Sequence, residues 1–286
     1  MPVHELLRLE NGQRAYAMKV IEGRTLAEVV MAAWLRHQQR GRVNEPRELA
    51  ERLEYFLKVC DAVGYAHARG VVHRDLKPDN VMIGPHREVY VMDWGVARLL
   101  DGDGPEPAPQ GSPDTQRGEA VGTPMYMSPE QARGEAVGPA SDQYALGVML
   151  QELVTLQPAV RAPHADLALY HAGRAMRAPM LHLRAGVRVS PDLVAIVDRA
   201  TAPDPAGRYA DVEVLAEEVR SYLRGDEIRA LPDGWVRRWS RSFVRHREGQ
   251  YGQLAEAISA AATILLAVGS SPGDGPGPPA LRFAPA

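Results

Sequence analysis

The sequence has 286 residues, of which 45% are hydrophobic and 24% are charged, and its formal net charge is −3. Such a composition is that of a globular protein with a sizeable core, and it gives no general excess of basic residues for binding nucleic acid. The only cysteine, Cys60, excludes a disulfide within the chain. No signal peptide is expected, because the N-terminus lacks a basic run followed by an apolar core. The nine histidines show no HExxH or paired Cys/His spacing, so no zinc site is expected.

The first predicted elements are two short strands and two helices. An Asn-Gly pair within residues 2–23 supplies the positive φ angles of a tight hairpin turn, which places a strand on either side of it. A helix is predicted over residues 25–39, where Thr25 and Glu28 match a capping box. A second helix is predicted over residues 46–68, since its apolar residues recur three or four positions apart and therefore share one face.

The middle of the chain contains two short β-branched runs, then a segment poor in apolar residues, and then further helices. Residues 71–95 contain two short β-branched runs separated by turn residues. Residues 101–118 are rich in Pro, Gly and Asp and cannot bury enough apolar surface to hold themselves in place, so a mobile loop is expected. Further helices are predicted at residues 141–156, 165–178, 190–202 and 211–224.

One motif carries the chemistry. Residues 73–80 read His-Arg-Asp-Leu-Lys-Pro-Asp-Asn, which resembles the catalytic loop of protein kinases at all five fixed positions. A chance match to five fixed positions has a probability of about 10⁻⁴ in a chain of this length. Four further segments resemble the family in the expected order: Asp93-Trp94-Gly95 in place of Asp-Phe-Gly, residues 122–130 ending in Ser-Pro-Glu, the central helix at 141–150, and the closing helix at 204–219. Over about residues 1–224 the sequence is similar to bacterial eukaryotic-type serine/threonine kinases, and the resemblance implies an ATP- and Mg²⁺-dependent kinase that phosphorylates Ser or Thr of a protein substrate.

The resemblance also implies a role for each matched residue. Phosphoryl transfer depends mainly on positioning and on the neutralisation of charge. Asp75 is expected to accept the proton of the substrate hydroxyl, and Lys77 to reach the γ-phosphate. Asn80 and Asp93 are expected to hold Mg²⁺, which prefers oxygen ligands. Lys77 also favours Ser/Thr over Tyr as the acceptor, because tyrosine kinases usually carry a different residue there.

Structural and regulatory residues follow from the same resemblance. Asp142 is expected to brace the catalytic loop, and Arg208 to pair with Glu130. Arg74 lies beside Asp75 and needs an anion, which a phosphorylated loop residue could supply. The candidate regulatory residues are Ser112 and Thr115, for which an ordinary solvated loop position is the alternative, and Thr123, which is expected to contact Asp75 and Lys77 directly.

The segment Tyr16 to Gly23, "YAMKVIEG", bears on nucleotide binding. Lys19 at first resembles the ATP-binding lysine of a small-lobe strand. Only two helices fit between Lys19 and His73, whereas an intact kinase has further strands there, so Lys19 is not that lysine. The adenine-binding residues implied by the resemblance are Met18 as gatekeeper, Lys19, Val20 and Ile21 in the hinge, and Met82 on the floor of the pocket.

On this alignment the sequence contains no Gly-rich loop, no ATP-binding lysine and no helix with its glutamate partner. Weak or no phosphoryl transfer is therefore expected from this chain alone. Two other interpretations stay open. One is a pseudokinase or scaffold that acts by protein–protein interaction, and the other is a fragment whose start lies upstream.

The predicted fold class is α+β, a protein-kinase-like two-lobe fold. Residues 1–23 would form a truncated small β lobe and hinge, and residues 24–224 a nearly complete, mainly helical large lobe. Residues 225–269 form a basic amphipathic and apolar segment, and residues 270–286 a disordered tail rich in Gly and Pro.

The basic segment suggests a second partner. Trp235, Trp239 and Phe243 share one helix face among arginines, so residues 235–247 could lie on an anionic membrane surface or pack back on the domain. The uncharged run at 257–269 is shorter than the roughly 20 residues of a transmembrane helix. A cytoplasmic location is expected, with attachment to the inner face of the membrane left open.

Overall fold

A computed structural model of the chain describes residues 3–8, 14–18, 20–39, 45–94, 97–99, 124–184 and 187–232. Four predicted features lie outside these residues: the mobile loop at 101–118, the basic segment at 235–247, the apolar run at 257–269 and the tail at 270–286. Among the described helices, none combines the length and the apolar character that crossing a bilayer requires.

The strands form three small antiparallel sheets. The predicted N-terminal hairpin is confirmed, because strand β1 (Val3–Arg8) pairs with β2 (Arg14–Met18). The second sheet has the order β3-β5-β6, and the third pairs β4 with β7. Their bounds are β3 (Arg24–Thr25), β4 (Val71–Val72), β5 (Val81–Ile83), β6 (Val89–Val91) and β7 (Arg98–Leu99).

Seven α-helices account for nearly half of the described residues. They are α1 (Leu26–Gln38), α2 (Glu45–His67), α3 (Pro129–Ala132), α4 (Pro139–Thr155), α5 (Ala165–Gly173), α6 (Pro191–Ala200) and α7 (Val212–Arg224). The predicted bounds differ by at most two residues except at the end of α5, which was expected to reach residue 178. The chain leaves the helix there because Ala175 adopts a left-handed φ of 52°.

Local sequence signals explain where these helices begin. The predicted capping box of α1 is confirmed: the Glu28 backbone N–H donates to Thr25 Oγ1 at 3.1 Å, and the Thr25 N–H donates to Glu28 Oε2 at 2.7 Å. Together the two bonds satisfy amides that a helix start leaves without intrahelical partners. At α6, the Ser190 hydroxyl accepts from the Asp192 N–H in the same manner.

Helix α4 forms the centre of the core. Every residue from Ser141 to Thr155 is buried, and α2, α6 and α7 all contact this helix. The predicted apolar stripe of α2, including Phe56 and Cys60, is buried against it. Gly147 permits the close approach of α6, because a Cβ atom at this position would lie 2.6 Å from Thr201 Cγ2. A rigid helical body therefore supports the loops that follow β4 and α3.

Candidate active site

The loop after β4 is anchored to the centre of the core by one carboxylate. Asp142, buried in α4, accepts hydrogen bonds from the backbone N–H groups of His73 at 2.8 Å and of Arg74 at 2.9 Å. His67 Nε2 lies 2.7 Å from Asp142 Oδ2. The predicted bracing by Asp142 is thus confirmed, whereas the contribution of His67 was missed, since a single histidine at the end of a helix carries no signal in the sequence.

His73 is fully buried and links this loop to the segment after β6. Its Nδ1 accepts from the Asp75 backbone N–H at 3.3 Å, so the neutral ring carries its proton on Nε2, which donates to the Met92 carbonyl at 2.9 Å. The ring packs against Trp94 with centroids 4.5 Å apart. Trp94 donates its indole N–H to the Val91 carbonyl at 3.0 Å, which explains how Trp fits where the family usually has Phe.

Three polar side chains of the loop converge. Lys77 Nζ donates to Asp75 Oδ2 at 2.8 Å, and Asn80 Nδ2 donates to the same oxygen at 3.1 Å. Asn80 Nδ2 also donates to the backbone carbonyl of Asp75 at 2.8 Å. The side-chain donors Lys77 and Asn80 therefore both meet Oδ2 of Asp75, and neither of them engages Oδ1.

The backbone brings Asp93 to this group. The Met92 N–H donates to the Asn80 carbonyl at 2.8 Å, so the residue before Asp93 is tied to Asn80. Asp93 itself has a left-handed φ of 59° and an exposed side chain. A non-glycine residue at positive φ is uncommon and requires support from its surroundings. Here the hydrogen bond of Met92 and the packing of Trp94 supply it.

The predicted adenine-binding residues lie on β2, β5 and the segment between β2 and β3. Met18 is the last residue of β2 and pairs with Val3, and Lys19 lies outside the described residues. Val20 is 84% exposed and Ile21 is half-buried. Met82 is half-buried at the centre of β5.

Gly23 lies between β2 and β3, where the backbone passes so close to the end of β5 that a side chain would not fit. A Cβ atom at this position would lie 2.2 Å from the Ile83 carbonyl oxygen, which is far inside contact distance. The glycine therefore lets the segment before β3 lie directly against the end of β5.

The segment around α3 contacts the loop after β4 through the side-chain amide of Gln131. Arg74 has a left-handed φ of 71°, and its carbonyl accepts from Gln131 Nε2 at 2.7 Å. Ser128 and Gln131 also form a capping box at the start of α3. The candidate regulatory residues Ser112, Thr115 and Thr123 lie outside the described residues.

A buried ion pair fixes the end of this segment. Arg208 donates from Nη1 to Glu130 Oε1 at 2.7 Å and from Nη2 to Oε2 at 2.8 Å. Burial favours the neutral acid, but hydrogen bonds from Arg208 and Ser141 outweigh it and lower the pKa of Glu130 to about 2. The predicted pairing of Arg208 with Glu130 is confirmed.

A second buried carboxylate was missed. Glu152, in α4, accepts a hydrogen bond from the Tyr126 hydroxyl at 2.6 Å and another from the Ala159 N–H at 3.2 Å. Burial raises the pKa of Glu152, with a smaller contribution from the negative charge of Asp79. The sequence does contain a signal, namely an acidic residue among the apolar residues of the second half of α4, but the signal does not identify a partner.

The geometry of this loop and its supports agrees with the comparison to known proteins. Residues 9–219 match the family model described as the protein kinase domain, which is well over half of the 286 residues. The chain belongs to the protein kinase family. Among curated proteins, this kinase is similar to the serine/threonine-protein kinases PknD of Chlamydia abortus, at 35% identity over 230 residues, and of Chlamydia caviae, at 36% identity over 219 residues. In both cases the match covers 73% of this chain and 23% of the relative, so the kinase spans about a quarter of their length.

Protein kinases generally use ATP and Mg²⁺, and the residues of this kinase fit such a cation. The hydrogen bonds of Asn80 described above use its Nδ2 atom, so they do not engage its carbonyl oxygen Oδ1. Asp93 offers an exposed carboxylate on the adjoining segment. Oxygen ligands of this kind suit Mg²⁺, which neutralises phosphate charge when it is bound.

Proposed function

We propose that this kinase transfers the γ-phosphoryl group of ATP to Ser or Thr hydroxyls of a protein substrate. The observation that carries the proposal is the arrangement of Lys77 and Asn80 on a single oxygen of Asp75. Their two donors orient the carboxylate, so Oδ1 can accept the hydroxyl proton while the substrate oxygen attacks the γ-phosphorus. The bond to the β-phosphate oxygen breaks, ADP leaves, and the proton stays on Asp75 until it passes to solvent.

The position of Lys77 supports the second part of this role. Its ammonium group lies against Asp75 in the absence of phosphate, and both side chains are only partly exposed. A γ-phosphate close to this loop would carry up to two negative charges and would compete with Asp75 for the ammonium group. Lys77 would then neutralise the transferred group while Asn80 continues to hold Asp75.

We propose slow turnover for these 286 residues by themselves. The given sequence has no segment that resembles the Gly-rich loop or the lysine–glutamate pair that hold the phosphates. Loss of one preorganised donor typically costs about 2.7 to 4 kcal/mol, or roughly a hundredfold to a thousandfold in rate. Fast turnover by the purified chain would refute this part of the proposal.

Nucleotide binding is the first property to test. The thermal midpoint of the full chain would be measured with and without Mg²⁺ and ATP, for the wild type, Asp93→Ala and the control Asp166→Asn on the exposed side of α5. We expect an upward shift in the wild type and the control and none in Asp93→Ala. No shift in either protein would favour a fragment or a scaffold that acts by protein–protein interaction, and an equal shift in Asp93→Ala would refute the assignment of Asp93 to the cation.

Phosphoryl transfer is tested separately with γ-labelled ATP and a mixed pool of Ser-, Thr- and Tyr-containing peptides. We expect slow labelling of Ser and Thr that Asp75→Asn abolishes and Asp166→Asn leaves unchanged. Label on Tyr, or labelling that survives Asp75→Asn, would contradict the assignment of the acceptor or of the base.

A further inference from the structure

A cluster of buried polar side chains lies in the helical body, and its residues have no part in the chemistry derived above. It consists of His37 near the end of α1, Glu45 at the start of α2 and His182 in the segment between α5 and α6, and is called the His37 cluster below. One nitrogen or oxygen atom from each residue can be chosen so that all three atoms lie within 4.8 Å of one another. Local spacing in the sequence does not reveal this group, because His182 is far from His37 and Glu45 along the chain.

The contacts within the cluster are close but poorly satisfied. His37 Nε2 lies 2.8 Å from Glu45 Oε2, and His182 Nε2 lies 3.5 Å from Glu45 Oε1. The side chains of His37 and His182 are 0% and 1% exposed. Among the described residues, neither nitrogen of His37, nor His182 Nε2, nor Glu45 Oε2 has a hydrogen-bond partner of acceptable geometry. Buried polar atoms without partners are rare in folded proteins and point to a missing ion or ligand.

We propose that the His37 cluster binds one divalent transition-metal ion of the zinc class, with Nε2 of His37, Nε2 of His182 and Oε2 of Glu45 as its ligands. Two imidazoles and a carboxylate form a ligand set that suits Zn²⁺ and leaves one position for water. Metal–ligand bonds of about 2.0 to 2.2 Å in a tetrahedron separate the ligand atoms by about 3.4 Å. The 2.8 Å between His37 Nε2 and Glu45 Oε2 would have to widen by about 0.6 Å to reach this geometry, and the three residues already place one ligand atom each within 4.8 Å of one another.

Arg52 holds the carboxylate in place for this role. Its guanidinium donates from Nη2 to Glu45 Oε1 and from Nε to the Leu153 carbonyl at 2.7 Å. One oxygen of Glu45 is thereby fixed, and the other faces His37. The positive charge of Arg52 lowers the affinity for a cation, although Glu48 Oε2, 4.0 Å from Arg52 Nη1, offsets part of it. The arrangement is that of a carboxylate ligand oriented by a second residue.

One hydrogen bond opposes the proposal and must break. His182 Nδ1 accepts from the Arg184 backbone N–H at 3.0 Å, which places the proton of the neutral ring on Nε2. Coordination of the neutral ring through Nε2 requires that proton to move to Nδ1, so the bond from Arg184 is lost. A single neutral hydrogen bond contributes far less than a structural zinc site does to folding, so the metal outweighs this loss.

The metal would join three parts of the helical body. It would connect the end of α1 to the start of α2 and both to the segment before α6. Helix α1 begins immediately after the hinge segment and β3, so the ion would stabilise the part of the fold that follows the proposed adenine contacts. The expected consequence is higher thermal stability with no direct part in phosphoryl transfer.

The test uses the full chain after treatment with a chelator. Co²⁺ would be titrated and followed by its visible absorption, Zn²⁺ would be used as competitor, and the thermal midpoint would be recorded with each metal. We expect one equivalent bound, a rise in the midpoint, and at least tenfold weaker binding in Glu45→Gln and His182→Gln. The control His164→Gln changes an exposed histidine in the same way and should bind as the wild type does.

Two results would overturn the proposal. The first is a folded wild-type chain that binds neither Co²⁺ nor Zn²⁺ in a one-to-one ratio. This result overturns the proposal even if the stability of the chain changes with pH, because the cluster would then bind only protons. The second is binding that the two cluster variants leave unchanged. If the variants do not fold, X-ray absorption of the zinc-loaded wild type decides: two imidazoles with oxygen ligands support the site, and any other ligand set refutes it.

Discussion

Glu130→Gln should destabilise this kinase strongly, because it leaves the Arg208 guanidinium buried without a counterion. Arg208 is 0% exposed and Glu130 4% exposed at the side chain, so solvent screens the pair very little. The pKa of Glu130 falls from 4.5 to about 2. At about 1.4 kcal/mol per pKa unit, this decrease corresponds to about 3 kcal/mol of folding free energy at neutral pH. Removing one partner of a buried pair typically costs about 3 to 5 kcal/mol, which agrees with this value.

The pH dependence of the same variant provides an independent check. A carboxyl whose pKa is lowered on folding contributes its full stabilisation above its unfolded pKa of 4.5 and loses it as the pH falls toward the folded value of about 2. The difference between wild type and Glu130→Gln should therefore be largest near neutral pH and shrink below pH ~4.5.

Urea unfolding at several pH values measures both effects. The matched control is Glu135→Gln, which removes a carboxylate from the exposed pair with Arg133 and should leave the free energy of unfolding unchanged. The reasoning is wrong if Glu130→Gln stays within about 1 kcal/mol of the wild type at neutral pH, or if their difference does not vary with pH.

Three further substitutions test other parts of the fold by urea unfolding. Thr25→Ala removes the capping box of α1 and should cost about 1 kcal/mol, and an unchanged midpoint would mean that the cap is not formed in solution. Gly147→Ala places a Cβ atom 2.6 Å from Thr201 Cγ2 and should cost about 1 to 3 kcal/mol through overpacking, whereas a neutral result would show that α6 can shift freely. Asp142→Asn puts an amide where two backbone N–H groups need an acceptor, so it should cost about 3 kcal/mol and speed hydrogen exchange of the His73 and Arg74 amides. Unchanged exchange at these amides would contradict the anchoring of the loop.

Much of the helical body can be predicted from the sequence, because its signals are local. Thr25 with Glu28 marks the start of α1, and the spacing of Phe56 and Cys60 identifies the buried face of α2. The pattern fails at the end of α5, where Ala175 turns the chain into a left-handed conformation that no residue type in the segment indicates. The turn is closed by local backbone hydrogen bonds, from the Ala175 N–H to the Ala172 carbonyl and from the Met176 N–H to the His171 carbonyl, which a periodicity of apolar residues cannot reveal.

For the candidate site, a motif predicts which residues meet but not how they are arranged. The spacing of the catalytic loop identifies Asp75, Lys77 and Asn80, yet the arrangement of both donors on one oxygen of Asp75 appears only in three dimensions. Partners far apart in sequence, such as Tyr126 and Glu152, were missed for the same reason. The roles of these residues in catalysis and the adenine contacts stay predictions until the experiments above are done.

The attachment of the catalytic loop to Asp142 has an evolutionary consequence. Both amides that Asp142 holds belong to the loop, and the carboxylate itself belongs to the most deeply buried helix. The position of the loop is thus tied to the helical core through these two hydrogen bonds. A lineage could exchange or recombine its nucleotide-covering lobe while this loop kept its geometry, and selection on the two halves of the fold could proceed separately.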